Sequence, residues 1–324
     1  MENWSRLLNA TGGALKPEKC FWYLLDYECV DGEWSYVDTV PREMVVTNPD
    51  GLTSLISQEH VTASKKTLGI HDSPSGGNSA HLAYIKEKVG VWVNRMTNGH
   101  LPSHMAWVAY KHQLWPGVRY GLGTMTNNLE VTDNLLHKED YRMLNVLGVA
   151  RSVTKGLRRL HTSFGGFGLL NLPVEQLIGR VNMLMQHYHT STNLSRKLDA
   201  SLRYLQLQLG TPNNPFLLDY AVWGYLAPLS WVKMLWRTLH HFDIHLYMAY
   251  PNIALPRERD QVLMEIFHSQ GLSREAMQSL NRCRVSLESI FLSDLTTADG
   301  CYLEDFVFNP GVKKYARRYL YLTF

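Results

Sequence analysis

The apolar positions change period along the chain. Trp4, Leu7 and Leu8 recur at i, i+3 and i+4, and Gly12-Gly13 follows, which predicts a short opening helix with a stop. Residues 20–40, CFWYLLDYECVDGEWSYVDTV, are rich in β-formers around Asp31-Gly32, a dipeptide suited to a two-residue hairpin turn because both positions tolerate positive φ. A turn is expected at Asn48-Pro49-Asp50-Gly51, a short strand from Thr67 to Ile70, and a loop in SPSGGN at residues 73–78. Beyond that loop the period lengthens. Ile85, Val89, Trp92 and Met96 recur at i, i+4, i+7 and i+11, one face of a helix. Most of the remainder reads as helix, broken at Trp115-Pro116-Gly117, at Gly165-Gly166-Phe167-Gly168, from Pro212 to Pro215 and from Pro251 to Pro256. Leu280, Cys283, Leu287 and Ile290 mark another amphipathic helix. The pattern predicts an α+β chain that is mainly α-helical, with a small β-hairpin region over residues 1–78, a helical region over 79–170 and a C-terminal helical region over 171–324. It contains no obvious repeats or low-complexity tracts.

Composition narrows the setting. A length of 324 residues suggests about two domains, and 45% apolar residues suffice for a substantial core. The four cysteines, Cys20, Cys29, Cys283 and Cys301, are too few and too scattered for a disulfide framework, and no Cys-x-x-Cys pair is present. The opening MENWSRLLNATGGALKP lacks the uninterrupted apolar core of a signal peptide. The most membrane-like stretch, Tyr220 to Val232, is short of the ~20 residues a bilayer span needs, and fits a buried helix better. A reduced intracellular chain, cytoplasmic or nuclear, not secreted and with no membrane partner, is the expectation.

The net charge of +3 conceals an uneven distribution. Residues 1–60 carry 4 Lys/Arg against 10 Asp/Glu, and residues 61–160 carry 13 against 6. A basic middle third with many aromatics is what a phosphate-tracking surface needs, although ordinary solvated helix faces give the same count. On the helix expected through Ile85, the cations are Lys86, Lys88 and Arg95; Lys88 and Arg95 are seven apart and share a face. Lys155, Arg158 and Arg159 cluster beside His161 in a stretch with no carboxylate between Asp140 and Glu175. Near the end, Lys313/Arg317 and Lys314/Arg318 stand at i, i+4, interleaved with Tyr315 and Tyr319, a pattern that suits nucleic acid, a protein partner or an anionic membrane.

Other chemistries find little support. His241/His245 and His100/His104 have helical spacing and His187/His189 are close, but there is no His-Glu-x-x-His and no acidic third ligand at a telling distance, so no metal site is expected. GGFG and GTMTNN do not match a P-loop, and no Gly-x-Ser-x-Gly elbow is present.

The order of several short segments resembles reverse transcriptases of retrotransposons, of the non-LTR kind. Leu15-Lys16-Pro17-Glu18-Lys19-Cys20 is similar to the Leu-Asn-x-x-Lys-Thr/Cys signature of that family's fourth palm motif. Lys66-Thr67-Leu68-Gly69-Ile70 resembles the short Tyr/Phe-Leu-Gly strand of the primer grip, and Ile85 through Leu101 to Tyr120 resembles the thumb helices. Gly165 to Leu177 looks like the Gly-Gly-Leu-Gly-x-x-x-Leu segment found after the thumb, and LNRCRVSLESIFLSDLTTADG resembles C-terminal regions of retrotransposon polyproteins.

The resemblance implies a template–primer duplex of RNA and DNA as partner, with Lys19 beside the incoming nucleotide as an auxiliary catalytic cation, Leu68 and Gly69 positioning the primer backbone, and Lys86, Lys88 and Arg95 tracking the duplex. It also implies Mg²⁺, held in the complete enzyme by paired aspartates in an aromatic-x-Asp-Asp turn upstream of Lys19. This sequence has no Asp-Asp dipeptide. The expectation is therefore a chain with no cofactor of its own, active only with an upstream fingers-palm segment. The other expectation is a non-catalytic helical module, derived from a retroelement, that binds nucleic acid or protein.

Overall fold

The computed structural model describes residues 7, 10–11, 16–30, 33–37, 42–47, 53–188, 190–249 and 256–308. The turns at Asp31-Gly32 and 48–51, the basic pairs from Lys313 to Arg318, and most of the opening helix and of the Pro251–Pro256 break lie outside them. The fold is α+β and mainly α-helical. It forms two compact units, Met1–Gly121 with Leu135–Lys155, and Leu122–Asn134 with Gly156–Phe324. The boundary expected near residue 78 therefore falls within the first unit, and that near residue 170 within the second.

In the first unit, β1 (Trp22–Tyr23), β2 (Tyr27–Val30), β3 (Glu33–Tyr36), β4 (Glu43–Thr47), β5 (Thr53–Glu59), β6 (Lys65–Thr67) and β7 (Ile70–Asp72) make three small sheets among the described residues: β1-β5-β4, β2-β3 and β6-β7. β4 and β5 pair antiparallel with Val45 opposite Leu55. Their alternation puts Val46 and Ile56 in the core and leaves Val45 and Leu55 exposed, the period-2 pattern of a sheet covered on one face. The Trp22 indole donates to the Ile56 carbonyl at 3.2 Å, fastening β1 to β5.

The strand expected from Thr67 to Ile70 is instead the tip of a hairpin. Thr67 pairs with Ile70, leaving a two-residue loop in which Leu68 (φ 50°) and Gly69 (φ 90°) both take positive φ. Such a loop matches the twist of its strands. Gly69 is needed for its backbone conformation; a Cβ there would meet the Tyr120 ring at an ordinary 3.6 Å.

After the hairpin come α1 (Ser79–Asn98), α2 (Ser103–Ala109), α3 (Trp115–Arg119), α4 (Leu129–Asn134), α5 (His137–Val146) and α6 (Lys155–Arg159). α1 buries His81, Ile85, Val89, Trp92 and Val93 along one stripe, close to the expected face, with Met96 only half-buried. Its Asn94 accepts from Arg142 of α5. The break expected at Trp115-Pro116-Gly117 does not interrupt the helical path: α2 runs into α3 through a π turn, Tyr110–Leu114. Pro116 has no N–H for the His112 carbonyl four residues back, and one wide turn is a common way for a helix to absorb that loss.

The second unit adds α7 (Leu172–His187), α8 (Asn193–Leu209), α9 (Tyr220–Trp223), α10 (Trp231–His241), α11 (Leu263–Ser269) and α12 (Arg274–Ser286). Tyr220 to Val232, expected as one buried helix, is the short α9, a turn and the start of α10. Leu184, Leu202, Leu205, Leu235, Trp236, Leu263, Phe267 and Leu280 are at the heart of its core. α12 ends at Ser286, so Leu280 and Cys283 lie on it, whereas the buried Ile290 lies beyond its end in extended chain whose carbonyl accepts from Leu263 N.

Two arginines are buried in this unit without a carboxylate partner among the described residues. Arg180 donates to Thr238 Oγ1 (2.7 Å), Met234 O (3.3 Å) and Met125 O (2.7 Å). Arg284 donates to Ser289 O (2.7 Å), to Asn281 Oδ1 and to Leu207 O, while Asn281 donates to Gln208 O (2.8 Å). Leu207 and Gln208 belong to the last turn of α8, which the Gly210 amide closes onto Gln206 O and Leu207 O, and Arg284 and Asn281 add side-chain donors to that end. Burial pulls both guanidinium groups down to about 10, which leaves them charged at neutral pH.

Candidate nucleic-acid interface

The β6-β7 hairpin and α1 bring their polar side chains together around Tyr84. Lys66 Nζ stands 4.4 Å from the Tyr84 ring centroid and 3.4 Å from its hydroxyl. The His71 ring lies 5.0 Å from the same ring, and Lys88 Nζ 5.7 Å from it. An aromatic face with cations on it holds those cations without neutralising them. One helical turn and then two further along α1, Lys88 and Arg95 enter a groove between α1 and the π turn. Tyr84, Glu87, Lys88, Val91, Trp92, Arg95, Met96, Gln113 and Leu114 line this cavity of about 270 Å³.

Lys88 is half-buried and its ammonium donates to Gly117 O at 3.3 Å. A Cβ on Gly117 would come within 2.2 Å of that nitrogen, so the bare glycine makes the room the ammonium occupies. Arg95 is exposed at the far end of the groove, and Lys86 is exposed on α1 outside it. Leu68, 87% exposed, and Gly69 form the hairpin tip.

The other candidates are not part of this grouping. Lys19 is exposed in the single 3-10 turn Pro17–Lys19 that precedes β1. Lys155 closes the first unit, whereas Arg158 and Arg159 open the second. Arg159 is committed to Asp133 at 2.5 Å and Asn171 at 3.4 Å. The glycine-rich segment after α6 caps that helix: Phe167, Gly168 and Leu169 donate to the carbonyls of Leu157, Leu160 and Arg158. Gly166 lies so close that a Cβ would sit 2.1 Å from Leu160 O. Lys313, Lys314, Arg317 and Arg318 lie outside the described residues.

Sequence reasoning missed Lys66, His71, Tyr84 and Gln113 as neighbours of Lys88 and Arg95. Tyr84 and Lys88 are an i, i+4 pair, a signal that was present. Nothing in the local sequence announced Gln113, because the π turn that presents it has no pattern of its own.

His81 gives the hairpin–helix junction a pH dependence. It is buried on α1, and its Nδ1 accepts from the His71 amide at 3.3 Å. Burial lowers its pKa, with His71 and Lys88 acting in the same direction and the Tyr120 backbone and Asp72 against it. The unfolded chain therefore takes up this proton first, so the contribution is present above the ordinary value of 6.5 and is lost as pH falls below it. Urea midpoints from pH 8 to pH 5 are expected to fall in the wild type and to fall less in His81→Gln. Equal slopes for the two would remove His81 from this role.

No protein-family model, no curated protein and no solved structure matches the chain. Among the described residues, no helix is long and apolar enough to cross a membrane.

Proposed function

We propose that this chain is the downstream, primer- and template-holding part of a retroelement RNA-directed DNA polymerase, a non-LTR-like reverse transcriptase. It binds the template–primer duplex and does not polymerise by itself. The observation that supports the binding role is the convergence of Lys66, Tyr84, Lys88 and Arg95 from a hairpin and a helix that sequence order alone leaves separate. Cations on a rigid helix and an adjoining hairpin suit contacts to phosphates, which fix position without reading sequence. The retroelement assignment rests on the order of the motifs along the chain.

Magnesium chemistry is not assigned to these residues. Among the described residues, no group of three His, Cys, Asp or Glu could hold a metal ion. In this reading an upstream fingers-palm segment supplies the aspartates, and the chain works inside the cell, in the cytoplasm or nucleus.

Fluorescence anisotropy with a labelled RNA–DNA primer duplex tests the reading. The wild type is expected to bind at low salt with a steep salt slope, and Lys66→Glu/Arg95→Glu to weaken binding by roughly tenfold or more and flatten the slope by about two counterions. A wild type that does not bind at low salt, or a double variant that binds equally well, would falsify it.

A further inference from the structure

The cavity between α1 and the π turn does not have the shape a duplex requires. Its volume of about 270 Å³ is that of a small-ligand site, whereas a duplex is gripped across grooves about 6 to 12 Å wide. Its lining is also divided. Val91, Trp92, Met96 and Leu114 give it an apolar wall, while Lys88 and Arg95 lie seven residues apart along it. Glu87 and Gln113 add a carboxylate acceptor and an amide that both donates and accepts. From Lys88 to Leu129 the sequence has no Asp or Glu at all, so Glu87 is the last carboxylate before a long cationic stretch.

We infer that this groove holds a single unpaired nucleotide, with its base against the Trp92–Met96–Leu114 wall and its phosphate between Lys88 and Arg95. The inference rests on the nucleic-acid reading above and adds an occupant to it: an unpaired end or overhang next to the duplex. Three features support that occupant. Lys88 spends one of its three donors on Gly117 O and keeps two for a phosphate oxygen. Gly117 has no positive φ that would demand glycine, yet a Cβ there would displace the Lys88 ammonium, so the glycine preserves the position of a cation and not a turn. The π turn that carries Gln113 to the groove is a departure from regular helix of the kind often found at functional sites. Stacking of a base on an aromatic and aliphatic wall is indifferent to sequence, as a site for any template end requires.

The full-length chain is titrated against a blunt duplex and against the same duplex carrying a four-nucleotide overhang. The overhang is expected to raise affinity roughly tenfold, and millimolar cytidine or adenosine 5′-monophosphate to remove that gain. Val91→Trp, at an exposed position, fills the groove, and Gly117→Ala displaces the Lys88 ammonium, whose end is free to move. Val91→Trp is expected to abolish the gain while blunt-duplex binding stays within about twofold; Gly117→Ala, which also moves a cation of the duplex contact, is expected to abolish the gain and to weaken binding of both duplexes. Equal affinity for the two duplexes, or a gain that survives the nucleotide competitor, overturns the inference and leaves the duplex-binding reading intact. Failure of both duplexes to bind at low salt removes the two together.

Discussion

Arg284→Met is expected to destabilise the second unit by about 3 kcal/mol or more, one of the largest losses in the molecule from a substitution that makes no clash. The side chain is fully buried, and Met fills most of its volume, so the effect comes from the hydrogen bonds. Removing the guanidinium strands Ser289 O and Asn281 Oδ1 in a dry interior, at ~1–3 kcal/mol for each buried group left unsatisfied, and leaves Leu207 O with the Gly210 amide at 3.2 Å. Relief of the buried charge acts the other way. The group stays ionised at neutral pH, because burial lowers it only to about 10, and the expected loss is what remains after that relief. Urea unfolding followed by tryptophan fluorescence should show the loss. Arg284→Lys should recover little of it, since one ammonium cannot reach acceptors spread over two chain segments. A melt of Arg284→Met within ~0.5 kcal/mol of the wild type would mean that the end of α8 does not depend on this cap.

A second large effect is expected from one methyl group. A Cβ on Gly123 would lie 2.8 Å from the carbonyl carbon of Gly179, and a Cβ on Gly179 would lie 2.9 Å from Gly123 Cα. Both obstacles are backbone, which cannot swing aside as a side-chain tip can. Gly179 sits within α7, where alanine in an open setting would stabilise by about 1 kcal/mol. The contact reverses that sign: Gly179→Ala and Gly123→Ala should each cost ~1–3 kcal/mol. The carbonyl of Gly123 also accepts from the Trp231 indole at 2.7 Å, so displacing this turn strains α10 as well. The double variant should cost less than the two single losses combined, because one shift of the turn serves both methyl groups. A stabilised Gly179→Ala would show that the two backbones do not meet.

These two sites also show what the sequence could not convey. The stripe of α1 was legible because Ile85, Val89 and Trp92 recur with the helical period and nothing competes with that signal. The overall class was legible for the same reason, since long periodic runs dominate the chain. The β6-β7 hairpin was read as one strand, because three-residue strands carry almost no alternation and a leucine at positive φ gives no warning of a turn. Arg180 and Arg284 resemble surface cations in any local window; only carbonyls contributed from far along the chain make their burial tolerable. For the candidate site, Lys88 and Arg95 could be placed on one face by spacing alone. Arg159 looked equally available until Asp133, 26 residues away, was seen to hold it. Charge is visible in a sequence, but whether a charge is already committed depends on the fold.

The path of residues 122–134 has a consequence for how the protein is made and cut. They belong to the second unit, although the residues on both sides of them belong to the first. Their partners there include Gly179, Gln176 and Arg180 on α7 and Trp231 on α10, all later in the chain. During synthesis, the segment carrying Met125 and Leu129 leaves the ribosome before its partners exist, and must wait about 50 further residues for α7 and about a hundred for α10. A gene divided at residue 155 would strand that segment permanently on the wrong fragment. The two halves would then recover a native second unit only by meeting again.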